Sequence, residues 1–108
     1  MTIGPTFTTT VRDTPAGPVV EAAGELDLVG APILHTALHR ALAIHPAPPK
    51  LVIDLAAVTF CDSTGLDALL LARTEAERQG VTLHLARLTH AVTRVLKITG
   101  TDKVFPVD

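Results

Sequence analysis

At 108 residues and 47% apolar content, the chain is long enough for one domain with its own core, burying roughly 65% of its unfolded surface without disulfides or metals. A formal net charge of −2, with three Phe, no Trp and no Tyr, excludes a basic nucleic-acid footprint and the aromatic platforms that stack bases. A single cysteine excludes an internal disulfide and a multi-cysteine zinc site, and fits a reducing compartment.

Residues Met1 to Thr10 lack the positive charge and long apolar run of a secretory signal. The longest wholly apolar stretch, Ala68 to Ala72, is five residues, where a membrane span needs about twenty. A soluble, cytoplasmic protein with no membrane or nucleic-acid partner is the expectation. Phe7 to Arg12, rich in Thr and Val, reads as a first strand. Asp13-Thr14-Pro15-Ala16-Gly17 is a dense turn signal, and Pro18 to Ala23 follows as a second strand, so the two form an antiparallel hairpin. Gly24-Glu25-Leu26-Asp27 ends that strand. Ala31-Pro32 opens a helix, with proline near the first position, where its missing N–H is harmless. Ile33, Leu34, Ala37, Leu38, Ala41 and Leu42 form its apolar stripe, and the helix stops by Ile44 ahead of Pro46, Pro48 and Pro49.

Lys50 to Leu55 reads as a third strand buried on both faces, since Leu51-Val52-Ile53-Asp54-Leu55 is apolar but for one carboxylate. Thr64 to Gln79 is a second helix, closed by Gly80. Val81 to Ala86 is a fourth strand and Thr89 to Thr99 a third helix stopped by Gly100. Val104 to Val107 adds a short edge strand, where Pro106 is tolerated. The order β-β-α-β-α-β-α, with a short final strand, predicts a mixed sheet of four to five strands whose crossovers place about three helices on one face.

The segment Thr59-Phe60-Cys61-Asp62-Ser63-Thr64-Gly65-Leu66 joins the third strand to the second helix. Backbone N–H groups at a helix start lack partners and favour negative charge, so a hydroxyl there serves as a cap or as an attachment point for phosphate. Read structurally, Ser63 or Thr64 caps the helix, with Thr64-Gly65-Leu66-Asp67 in the outline of a capping box. Asp62 and Asp27 read as turn or cap residues, or as groups that polarise the acceptor hydroxyl or meet a partner. Asp54 reads as an acceptor for neighbouring N–H groups. Cys61 reads as a small buried apolar residue, with a redox brake as the sharper alternative. His35 and His39 have the spacing of two metal ligands on one helix face but lack the acidic partner of a zinc hydrolase, so they are expected at the surface and no metal is expected. Ser63 lacks a G-x-S-x-G elbow, which argues against a catalytic nucleophile served by His84 or His90.

Three patches carry a resemblance: Gly24-Glu25-Leu26-Asp27, Asp62-Ser63-Thr64-Gly65-Leu66, and Leu96-Lys97-Ile98-Thr99-Gly100 through Val104-Phe105. Together, over about residues 7 to 107, the chain resembles the STAS domain of the anti-sigma-factor antagonists, and residues 1–108 are expected to form a single such domain. Thr101 and Cys61 depart from the apolar residues common at their positions. The resemblance implies a binding module, not an enzyme. It would bind an anti-sigma factor, usually a GHKL-type serine kinase, and so release a sigma factor. Phosphorylation would switch it off and a PP2C-type phosphatase would reset it, with no cofactor and no small-molecule substrate. Ser63 matches the phospho-acceptor, with Thr64 as second choice. Asp27, Asp62, Ser63, Thr64, Gly65 and Leu66, with the exposed face of the second helix, are the expected partner surface. The alternative is a STAS scaffold or regulatory subunit of another assembly, such as a lipid-transport ATPase complex or a stress-signalling particle.

Overall fold

A β-hairpin opens the fold, as expected. The computed structural model describes residues 7–43 and 48–108. Strands β1 (Phe7–Thr14) and β2 (Gly17–Leu26) pair antiparallel from Thr14↔Gly17 to Phe7↔Gly24, across a turn of Pro15 and Ala16. Thr14 stitches that turn: its hydroxyl donates to the Gly17 carbonyl (2.6 Å) and accepts the Ala16 N–H (3.2 Å). Gly17 holds φ +122°, a conformation that side chains rarely tolerate. The chain continues through α1 (Gly30–Leu42), β3 (Lys50–Cys61), α2 (Ser63–Arg78), β4 (Thr82–Ala86) and α3 (His90–Thr99). β2, β3 and β4 run parallel, and the sheet order is β1-β2-β3-β4.

The expected order of elements is observed, and the differences have local causes. α1 ends at Leu42 with Ala43 as its C-cap; the anticipated limit at Ile44 and the proline at 46 lie outside the described residues. The final strand shrinks to one bridge, Leu85↔Val107, flanked by Leu85 N–H to the Pro106 carbonyl (2.9 Å) and Asp108 N–H to the Leu85 carbonyl (2.8 Å).

The largest difference is β3, which runs six residues past its expected end at Leu55. Its register against β2 slips twice. Glu21 faces Asp54 but Ala23 faces Ala57, and Gly24 faces Val58 but Glu25 faces Phe60. Each slip inserts an extra β3 residue as a bulge, so side chains lose strict alternation there. Leu55, Val58 and Cys61 are buried while Ala56, Ala57, Thr59 and Phe60 are exposed.

β3 is not buried on both faces. Its inward side chains Leu51, Ile53 and Leu55 join Val20 and Leu26 of β2 and Leu83 and Leu85 of β4 in one core. α1 adds Leu34, Leu38 and Leu42 to that core, α2 adds Leu66, Leu69 and Ala76, and α3 adds Val92 and Leu96. The outward face, through Thr10, Glu21, Val52 and Asp54, is covered by no helix among the described residues. Asp54 is nonetheless buried, because Arg87 reaches back from the end of β4 to lie on it.

Candidate functional site

The site is built where β2 and β3 end side by side. Leu26 pairs with Cys61, and the ladder closes with Asp62 N–H to the Leu26 carbonyl (3.4 Å). One residue beyond that pair, each strand presents an aspartate that turns the chain into a helix. Asp62 is the N-cap of α2: its Oδ1 accepts the Gly65 N–H (3.1 Å) and its carbonyl accepts the Leu66 N–H (3.0 Å). Asp27 makes a similar turn ahead of α1, whose N-cap position is Val29. The Asp27 Oδ1 accepts the N–H groups of Val29 (3.0 Å) and Gly30 (2.9 Å), and its carbonyl accepts that of Ala31 (2.8 Å).

Two glycines let these turns approach the sheet. A Cβ on Gly65 would collide with the Leu26 carbonyl oxygen and come within 2.7 Å of the Leu26 side chain. A Cβ on Gly30 would collide with the Glu25 carbonyl and come 3.0 Å from the Phe7 ring. Asp27-Leu28-Val29-Gly30 and Asp62-Ser63-Thr64-Gly65 are therefore the same device used twice. The repeated Asp-x-x-Gly spacing was visible in the sequence, and reading it would have singled out Gly30 along with Leu28 and Val29.

This geometry corrects the capping assignment. Neither Ser63 nor Thr64 caps α2, and Thr64 to Asp67 is not a capping box, because Asp62 takes the role and the helix has begun by Ser63. Ser63 is exposed, Thr64 half-buried. Two members of the expected surface point inward: Leu66 is 4% exposed and belongs to the core, and Gly65 is buried against Leu26. They hold Ser63 in place and present no surface of their own. Around Ser63 the structure exposes apolar groups that sequence reasoning missed: Leu28 (72%), Val29 (64%) and Phe60 (46%). Leu71, two turns along α2 from Ser63, is 63% exposed and shares a shallow depression with Asp67, Leu70 and Thr74.

Cys61 is buried, and burial, reinforced by the Asp62 carboxylate, raises its thiol pKa to about 11. Its Sγ donates to the Asp62 carbonyl (3.6 Å). It behaves as a core residue. Asp54 accepts the N–H of Ala56 at the first bulge (3.0 Å) and three hydrogen bonds from Arg87, with Nε shared between Oδ1 (3.2 Å) and Oδ2 (3.1 Å) and a terminal nitrogen on Oδ2 at 2.5 Å. Burial alone would raise its pKa, but the Arg87 and Ala56 donors outweigh it and the pKa is lowered. His84 lies opposite Val52, well down β3 from Ser63, with its Nδ1 2.7 Å from Asp108. His90 is exposed at the start of α3. His35 and His39 stack at the surface, ring centroids 6.2 Å apart, and His39 Nδ1 lies 2.9 Å from Glu75 Oε1, bridging α1 to α2.

The chain as a whole, with its opening hairpin, parallel β2-β3-β4 and three helices, is matched in known proteins. The family model described as Mlab, STAS domain matches residues 9–106. The chain belongs to the STAS-domain family of anti-sigma-factor antagonists. The anti-sigma-F factor antagonist RsfB of Mycobacterium tuberculosis is 35% identical over 99 residues, covering 92% of this chain and 79% of that one. The anti-sigma-B factor antagonist of Bacillus subtilis is 31% identical over 88 residues, covering 82% and 78%. The crystal structure of an anti-sigma factor antagonist from Mycobacterium paratuberculosis superposes with a TM-score of 0.81 at 37% identity, covering 94% of this chain and 84% of that one. In this STAS domain the described residues form no helix long and apolar enough to cross a membrane.

Proposed function

We propose that this STAS domain binds an anti-sigma factor through the surface around Ser63, thereby releasing a sigma factor, and that phosphorylation of Ser63 ends the binding. The observation that carries the reading is the exposed hydroxyl of Ser63 at the first position of α2, with the cap already supplied by Asp62. A kinase can reach that hydroxyl without unfolding anything. A phosphate there adds about −1.5 to −2 charges at a helix start, where free N–H groups and the helix dipole favour it, so the fold need not change. The effect falls on the partner. Leu28, Val29 and Leu71 offer apolar contact on either side of Ser63, and a hydrated dianion between them disrupts a desolvated interface. Losing roughly 3 kcal/mol weakens binding more than a hundredfold.

In this reading the anti-sigma factor is a serine kinase, a PP2C-type phosphatase resets the switch, and the domain acts in the cytoplasm as a substrate and binding module, with no catalytic chemistry of its own. Asp27 and Asp62 hold the two loops that frame the acceptor. Incubation with the cognate anti-sigma factor and ATP, followed by phosphopeptide mass spectrometry and calorimetry, tests it. Phosphate is expected on Ser63. Ser63→Ala should bind like wild type and resist release by ATP, while Ser63→Asp should bind at least about tenfold more weakly. Equal binding by both variants would move the switch elsewhere.

A further inference from the structure

Arg94 and Lys97 are exposed cations one turn apart on the same helix. α3 buries Val92 and Leu96 and turns His90, Arg94, Lys97 and Ile98 to solvent. It contains no Asp or Glu. Four of the nine Lys and Arg are paired, Arg12 with Glu21, Lys50 with Asp108, Arg73 with Glu77 and Arg87 with Asp54; Arg40, Arg78 and Lys103 are in no ion pair among the described residues, but none of these three lies on α3. Among the described residues, neither Arg94 nor Lys97 lies within salt-bridge distance of a carboxylate. Two like charges one helical turn apart repel mildly, and here they stand on a chain whose net charge is −2. Between them and His90, Thr93 and Ile98 line a groove of about 400 Å³, and Ile98 is 72% exposed. An exposed apolar side chain beside an arginine is a feature of protein-binding patches, and the two cations suit a partner surface of opposite charge.

We propose that the outward face of α3 docks an acidic segment of a partner protein, which sets carboxylates against Arg94 and Lys97 and an apolar side chain against Ile98. Charge complementarity selects the occupant. A membrane surface is recognised by clusters of about four to eight Lys and Arg, more than α3 presents. Single-stranded nucleic acid calls for a platform of aromatic side chains on which successive bases stack, and α3 has no Phe, Tyr or Trp. The surface is distinct from the acidic neighbourhood of Ser63, where Glu25, Asp27, Asp62 and Asp67 gather, and it does not depend on the phosphorylation reading.

The test uses the whole ¹⁵N-labelled chain and two synthetic amphipathic peptides. One carries leucines at i and i+4 flanked by glutamates; its twin carries lysine in place of every glutamate. The acidic peptide is expected to shift the amides of residues 90–98 saturably, and the shifts should vanish at about 0.5 M salt. Arg94→Glu combined with Lys97→Glu should weaken binding about tenfold or more. Ile98→Ser should weaken it as well, and Ser63→Asp should leave it unchanged. These positions are exposed, and an unchanged circular dichroism melt confirms that each variant is folded. No saturable shift, shifts centred outside α3, or equal binding of the lysine twin would overturn the proposal. So would co-sedimentation with phosphatidylglycerol vesicles that depends on Arg94 and Lys97 while the acidic peptide fails to bind.

Discussion

With the Asp62 carboxylate committed to the Gly65 N–H, the first turn of α2 is capped without help from Ser63, and the serine is free for other chemistry. Stability measurements separate the two roles. Asp62→Ala should cost about 1 kcal/mol in urea unfolding, the usual loss of a cap, while Ser63→Ala should change stability by less than about 0.5 kcal/mol. The reverse order would make Ser63 the cap. Gly65→Ala should cost about 1–3 kcal/mol, because its Cβ meets the Leu26 backbone, which cannot move as a flexible side chain can. Cys61 gives a chemical check on the same corner. With its thiol pKa pushed up to about 11 and its sulfur buried, iodoacetamide near neutral pH should leave the native protein essentially unmodified and label it quickly once unfolded. Rapid labelling of the folded protein would return Cys61 to the list of reactive groups.

β3 shows where local pattern stops being readable. Up to Leu55, apolar residues interrupted by one carboxylate announce a strand, and the hairpin, the helix stripes and the Gly100 stop are equally local signals. Past Leu55 the two bulges replace the two-residue period with a roughly three-residue one, and Ala56-Ala57 interrupts the run of strand formers, so the alternation that would join Val58-Thr59-Phe60 to the same strand is lost. The compensation is tertiary. The Ala56 N–H freed by the first bulge is taken by Asp54, and Thr89 from the start of α3 donates its hydroxyl to the Val58 carbonyl (2.7 Å). The place of Ser63, Asp62 and Asp27 at the candidate site's corner was legible, because the strand-to-helix transition locates them. The exposure of Leu28, Val29 and Phe60 and the burial of Leu66 follow from how two strand ends meet, which no single segment encodes. Asp54→Ala removes the acceptor for the bulge N–H and should destabilise the domain by about 1–3 kcal/mol, measured by urea unfolding. A neutral result would mean that water or a carbonyl replaces the carboxylate at the bulge.

Across the whole molecule, two carboxylates tie the sheet to later parts of the chain. Asp54 holds Arg87 beyond β4, and Asp108 holds Lys50 (2.6 Å) and His84 (2.7 Å), fastening the C-terminal segment to the starts of β3 and β4. Both have lowered pKa values. In Asp54 the hydrogen bonds outweigh the burial that opposes them; in Asp108 the hydrogen bond from Lys50 leads. A carboxylate whose folded pKa lies below its unfolded value binds fewer protons when folded. Its contribution to stability is therefore complete above the unfolded value, about 4, and fades as pH falls through the folded value. The melting temperature should accordingly change little through these groups above about pH 5 and drop as the solution is acidified further. Arg87→Met separates charge from packing, because it keeps an apolar stem over Asp54 but removes the donors. At neutral pH it should melt below wild type, and the gap should narrow on acidification as the Asp54 carboxylate is protonated in both proteins. A gap that stays constant from neutral pH to about pH 3 would show that Arg87 acts by covering the sheet and not through its charge, and the Asp54 carboxylate would then have no part in tying the residue beyond β4 to β3.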